Sequence, residues 1–225
     1  MMMYKLGVLA ALAAGAVMGN QVTYNFSPVV AQTTTNFTAN IGVNQFDPAM
    51  GTLTGIQFTL TGTVLGTVKF ESFDSLASTV TSNLAATITL LRPDNTTIAV
   101  VLPTVSATTN LTAYDGILDF GGTSGRTFAN VTNTLSVTPA VMSSAADLAL
   151  FQGLGSITLP VTASASSSAA GAGNLDTSFN TTAGANGSVT YFYNTTSTPE
   201  PSTTILMLSS GLVLFPIIRR KLRKI

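Results

Sequence analysis

The sequence predicts an all-β chain: an antiparallel two-sheet β-sandwich, jelly-roll-like, followed by a C-terminal transmembrane helix. Three observations predict it. Over residues 20–196 apolar side chains alternate with Thr, Ser and Asn in short runs, the period of a strand with one buried face. Turn signals rich in Gly, Pro, Asn and Asp separate those runs about every ten residues, with little helical periodicity between them. Finally, an apolar stretch over 205–218 runs into a basic cluster at the end of the chain.

The chain begins MMMYKLGVLAALAAGAVMGNQ. Lys5 precedes an apolar run over 6–18, and small residues follow, with Ala14-Gly15-Ala16 and Val17-Met18-Gly19 as candidate cleavage ends. This is the layout of a secretory signal peptide, assigned to 1–19.

In the body, TGIQFTLTG sends Ile56, Phe58 and Leu60 to one face, and GTVLGTVKFES does the same with Val64, Val68 and Phe70. Thr61-Gly62 between them suits a tight reversal, so a hairpin is expected there. Further strands are expected at 86–91, 97–102, 116–120, 131–137, 156–163 and 188–193. Pro160 predicts an edge or a bulge, because it cannot donate to a ladder. RPDNTT is a turn in which Pro93 presets φ and Asp94-Asn95 tolerate bent backbone. One helix of about three turns is expected over 140–152, AVMSSAADLALFQ. The low-complexity ASASSSAAGAGN reads as a strand end plus loop. About 175 residues suffice for one core burying roughly 70% of the unfolded surface.

The tail divides into a linker, NTTSTPEPS, and the apolar run. As a helix, 205–218 is about 21 Å long, against a bilayer core of about 30 Å. Counting from Ser202 brings it near the lower limit for spanning, and basic side chains can snorkel to reduce the mismatch. Five of the nine Lys and Arg residues lie in the last seven positions: Arg219, Arg220, Lys221, Arg223 and Lys224. Pulling them through hydrocarbon costs several kcal/mol, so the C-terminus is held in the cytoplasm. That orientation sets Pro199-Glu200-Pro201 just outside the membrane, as extended backbone that a processing enzyme can grip. The expected organisation is therefore 1–19 signal peptide, 20–196 sandwich, and 197–225 sorting and anchor segment.

The zero formal charge of the whole chain conceals an uneven distribution. Residues 21–202 hold three basic side chains against nine acids, a net of −6. An acidic body is repelled by phosphate backbones, so no nucleic-acid partner is expected.

TPEPS, a short apolar helix and RRKLRK, in that order within the last 29 residues, resemble the PEP-CTERM sorting signal of bacterial surface proteins. The resemblance implies recognition by a membrane enzyme, exosortase, and cutting near Pro199-Glu200-Pro201. The body is similar to the choice-of-anchor E domain of bacterial exported proteins, on NQFDPAMGTLTGIQFTLTGTVLGTV, YDGILDFGGTSGRTF and GSITLPVTASASSSAAGAGNL, over roughly residues 45–193. That likeness implies fold and placement, with no activity or ligand attached.

The inventory of reactive groups is short. The chain has no His and no Cys, which removes Ser-His-Asp triads, thiolate nucleophiles and the usual zinc ligands. Lys69, the body's sole Lys, alternates in a strand and reads as an outward edge residue. Asp115 and Asp119 form the best carboxylate pair, but about 13 Å separates such positions on a strand. They read better as a turn residue and a strand-end cap. Asp47, Asp115 and Asp119 are calcium candidates without a recognisable ligand spacing. Tyr191 and Tyr193 share a face opposite Phe192; they are candidates for sugar stacking, although a strand with one buried face explains them as well. The sequence thus points to no enzyme and no cofactor. It points to an exported surface or exopolysaccharide-matrix protein, with a carbohydrate- or calcium-binding module as the alternative and a carboxylate-based glycoside hydrolase last.

Overall fold

The computed structural model describes residues 19–195. In chain order the strands are β1 (Asn20–Asn25), β2 (Val30–Thr34), β3 (Phe37–Asn44), β4 (Thr52–Ser72), β5 (Ser78–Leu91), β6 (Thr97–Val101), β7 (Thr104–Leu111), β8 (Gly125–Val137), β9 (Ser156–Ala165), β10 (Ser168–Ala170) and β11 (Leu175–Asn194). A 3-10 turn, Pro48–Met50, precedes β4, and one helix, α1 (Ala145–Leu150), lies between β8 and β9.

These strands make two antiparallel sheets. The first runs β1-β11-β4-β8, with β2 continuing the edge alongside β11; the second runs β10-β5-β9-β3, with β6 and β7 also paired to β5. The sandwich expectation therefore holds. The longest ladder joins β4 to β11, from Thr52↔Asn194 to Ser72↔Leu175. The even positions of β4 face the second sheet: Ile56, Phe58, Leu60, Val64, Val68 and Phe70 are all buried. Ile88, Leu90, Leu159 and Val161 meet them from the second sheet in one continuous core. Each such side chain contributes about 1.5–3 kcal/mol on burial.

Four local expectations need correction. Thr61-Gly62 is not a hairpin, because β4 passes straight through it. Gly62 has the parity of the buried residues, and a Cβ there would lie 2.5 Å from Val101 Cγ1 and 2.7 Å from Ile88 Cδ1. The glycine marks a place where the opposite sheet presses onto the strand.

Residues 116–120 are not a strand but part of a loop between β7 and β8. The helix is six residues rather than three turns. Met142 exchanges two backbone hydrogen bonds with Ile56 (2.8 and 2.9 Å), which keeps the segment before the helix extended. The Ser144 Oγ then caps it by accepting from Asp147 N–H. Finally, Lys69 is on no edge; it is exposed on β4 between Ser178 of β11 and Thr127 of β8.

Pro160 sits where expected. β9 pairs with β5 only from Val161 onward, so at Pro160 its one neighbour is β3. RPDNTT is the β5–β6 turn, closed by Arg92 N–H to Thr96 O at 2.8 Å.

The outer faces are tied together by neutral side chains. Thr59–Thr138 (3.1 Å), Thr61–Ser136 (2.7 Å) and Thr63–Thr134 (2.8 Å) link β4 to β8 and its continuation. Thr81–Thr108 (3.0 Å) does the same on the second sheet. Thr59, Thr61 and Thr63 thus face outward for the same reason that Phe58, Leu60 and Val64 face the core: the strand period is two.

Candidate functional site

The sorting motif Pro199, Glu200, Pro201 and the basic residues Arg219, Arg220, Lys221, Arg223 and Lys224 lie outside the described residues. Among the described residues no helix is long and apolar enough to cross a membrane.

The acidic candidates are not brought together. Asp47 lies beside the start of β4, whereas Asp115 and Asp119 lie in the loop beyond its end. Among the described residues no group of three acidic side chains could hold a metal ion. Asp115 Oδ1 accepts from Ile117 N–H (3.1 Å) and its Oδ2 from Thr123 N–H (3.4 Å). These bonds, Ile117's foremost, hold its carboxyl below the ordinary Asp range. Asp119 Oδ1 accepts from Gly121 N–H at 2.7 Å. Both carboxylates shape turns.

Two acidic residues missed at the sequence level are internal. Glu71 is fully buried, and its Oε1 accepts from Ser124 Oγ–H at 2.6 Å. Asp147, the buried residue of α1, pairs with Arg92 at 2.5 Å. Neither was singled out, since Glu71 looks like an outward acid in an alternating strand and Asp147 like a surface acid on a short helix.

Tyr191 is corrected as a stacking candidate. It is fully buried, and its hydroxyl donates to the Asn44 carbonyl at 2.7 Å. Burial, and then the neighbouring Tyr24, push that hydroxyl's pKa well above the ordinary tyrosine value. Tyr191 packs among Tyr24 (6.1 Å between centroids) and Phe46 (5.8 Å), and Phe46 also meets Tyr193 at 5.1 Å. Phe192 and Tyr193 are only partly covered.

Beside this aromatic group lies an open groove of about 440 Å³. It is lined by Tyr24 of β1, by Asn44, Gln45 and Asp47, by Leu154 and its flanking glycines in the loop before β9, and by Ser156 at the start of β9. The loop is fastened by Gln45 N–H to Gly155 O (3.0 Å) and Gly153 N–H to Phe46 O (2.9 Å). Gln45 Nε2 donates to Leu150 O (3.1 Å) and Gln152 O (3.4 Å), which orients its Oε1 toward the two loop glycines. A Cβ on Gly153 would lie 2.6 Å from that oxygen, so glycine leaves it uncovered. Asp47 caps the 3-10 turn with Oδ1, accepting from Ala49 N–H at 2.8 Å. Leu154 stands 86% exposed at the loop tip. Of this set only Asp47 was marked in the sequence.

No family model matches the chain, and no curated protein matches it. Among solved structures the chain is similar to one from the infectious bursal disease virus Gx strain, at 17% identity and TM-score 0.20, covering 81% of this chain and 36% of that one. It is similar also to one from the T13 viral particle of that virus, at 16% identity and TM-score 0.19, covering 94% and 52%. A third is from the VP2 subviral particle, at 18% identity and TM-score 0.18, covering 82% and 32%. The chain spans about a third to a half of the length of these structures. Overlap of this extent supports no statement about function.

Proposed function

We propose that the chain is an exported bacterial surface or exopolysaccharide-matrix protein, tethered at the inner membrane by its C-terminal segment as a transmembrane helix. An exosortase cuts it near Pro199-Glu200-Pro201, and the body, a jelly-roll-like sandwich of the choice-of-anchor E kind, then serves a structural or adhesive role in the envelope or matrix. One observation carries this reading. Among the described residues the paired backbone runs from Asn20↔Tyr193 to Thr52↔Asn194, and the expected cutting sites lie before and after that span in sequence. Every ladder among the described residues lies between those ends. The neutral hydroxyl ladders on the outer faces suit a hydrated polysaccharide surrounding, and the acidic body suits no nucleic acid. The reading assigns no catalytic step, and the turn bonds of Asp115 and Asp119 support it.

Mass spectrometry of the surface fraction tests this. The expected result is a C-terminal peptide ending near Pro199-Glu200-Pro201. Recovery of full-length chain alone, still carrying Ile225, overturns processing. A second reading, a carbohydrate-binding module, is favoured by the unbonded polar atoms of the Tyr24 groove.

A further inference from the structure

We infer that the groove between Tyr24, residues 44–47 and the Leu154 loop binds a neutral polysaccharide, with the Tyr24 ring as the stacking platform and Asp47, Asn44 and Ser156 as the groups that read its hydroxyls. This rests on the carbohydrate-binding reading and names its site and ligand class.

The first argument is hydrogen-bonding capacity. A sugar hydroxyl both donates and accepts, so a site for it needs fixed groups of both kinds with free valences. Tyr24 Oη, the Asn44 amide, Gln45 Oε1, Asp47 Oδ2 and Ser156 Oγ line the groove and take no hydrogen bond among the described residues. On the outer faces of β4 and β5 several Thr and Ser hydroxyls are consumed in cross-strand pairs, such as Thr61–Ser136 and Thr81–Thr108. In the groove five polar groups of four kinds are open together.

The second argument is preorganisation. Asp47 is held through its other oxygen by Ala49 N–H, and Gln45 through its amide nitrogen by two carbonyls. Tyr24 leans on buried Tyr191, whose hydroxyl is locked onto Asn44 O. Groups already fixed lose little freedom on binding.

The third argument is shape and charge. A partly exposed ring and the 86% exposed Leu154 offer apolar surface for the C–H faces of a sugar. Polar edges flank it. Asp47 is the one charged residue lining the groove. Its sign disfavours anionic polymers and phosphates and leaves neutral chains as the matching class. The groove is open, which suits a stretch of polymer.

The test uses the full chain in a polyoxyethylene detergent, since alkyl glycosides would compete. Native gels cast with dextran, mannan, a β-glucan or alginate give the affinity by retardation. The expected result is retardation in at least one neutral gel and none in alginate. Tyr24→Ala and Asp47→Asn should each weaken binding about tenfold or more, the loss of one stacked ring or one charge-assisted hydrogen bond. Asn still caps a turn, so Asp47→Asn should melt like the parent. Tyr24→Phe keeps the ring and should retain most of the retardation, and Thr63→Ala, on the outer face, all of it. No retardation in any neutral gel overturns the inference. So does unchanged retardation in both Tyr24→Ala and Asp47→Asn, or equal retardation in alginate. Processing is read separately by mass, so loss of binding with a normally cut C-terminus removes this site and leaves the export reading standing.

Discussion

Ser124 is the one described donor to the buried carboxylate of Glu71. Its removal leaves Oε1 without a partner in a place water does not reach. Ser124→Ala is therefore expected to destabilise the body by about 3 kcal/mol, well beyond the worth of a surface hydroxyl, as read by urea unfolding. Tyr191 presents the milder case. Tyr191→Phe keeps the ring and loses the bond to Asn44 O, at a cost of about 1 kcal/mol. The same hydroxyl has a pH signature. Its pKa is raised in the folded state, so the folded chain holds a proton that the unfolded chain releases above about pH 10. Its contribution is complete below that pH and is lost as pH rises beyond it. Thermal melts between pH 8 and pH 11 should show a decline that is shallower in Tyr191→Phe.

The loop between β7 and β8 depends on Asp115 in the opposite direction of pH. Its carboxyl is held low by the amides of Ile117 and Thr123, so its contribution is present above the unfolded value of about 4 and is lost as pH falls through the folded one. Protection of the amides in residues 112–124, relative to the intrinsic exchange rate at each pH, should fall on acidification. Asp115→Asn, which keeps an acceptor but cannot titrate, should flatten that dependence. The loop also shows what the sequence made legible and what it hid. Asp115-Gly116 announced a turn, RPDNTT announced the β5–β6 turn, and the alternation of Ile56, Phe58 and Leu60 announced which face of β4 is buried. Gly62 misled because a glycine beside threonine looks the same whether the chain turns or a Val and an Ile press on it from the facing sheet. β7 was invisible because its inward positions include Ala107 and Thr109, too small or too polar to give an apolar period. The first half of β11 is similar, with Thr181, Ala183 and Ala185 facing in. The Tyr24 groove was hidden for another reason. It joins three segments far apart in sequence, which only the β1–β11 and β3–β9 registers bring together.

For the whole molecule, the registers limit where the chain can be cut. β1 begins at Asn20 and pairs residue by residue with the last turn-free stretch of β11, Ser188–Tyr193 by partner. Signal cleavage at either candidate end, after Ala16 or after Gly19, spares it. A cut inside β1 would strip an edge from β11 and take with it Tyr24, which covers Tyr191. On the proposed export route, the N-terminus should lie no later than Asn20 by Edman sequencing. A chain limited to 20–196 should melt within about 2 °C of the full-length chain, a difference below about 1 kcal/mol for a body of this size. One that also lacks 20–25 should melt at least about 5 °C lower, because β1 supplies the partly buried Val22 and Tyr24 as well as a full ladder. Equal melting of these two truncations would mean that the edge strand adds nothing to the sandwich. The coincidence between cutting sites and the limits of the ladders would then lose its physical meaning.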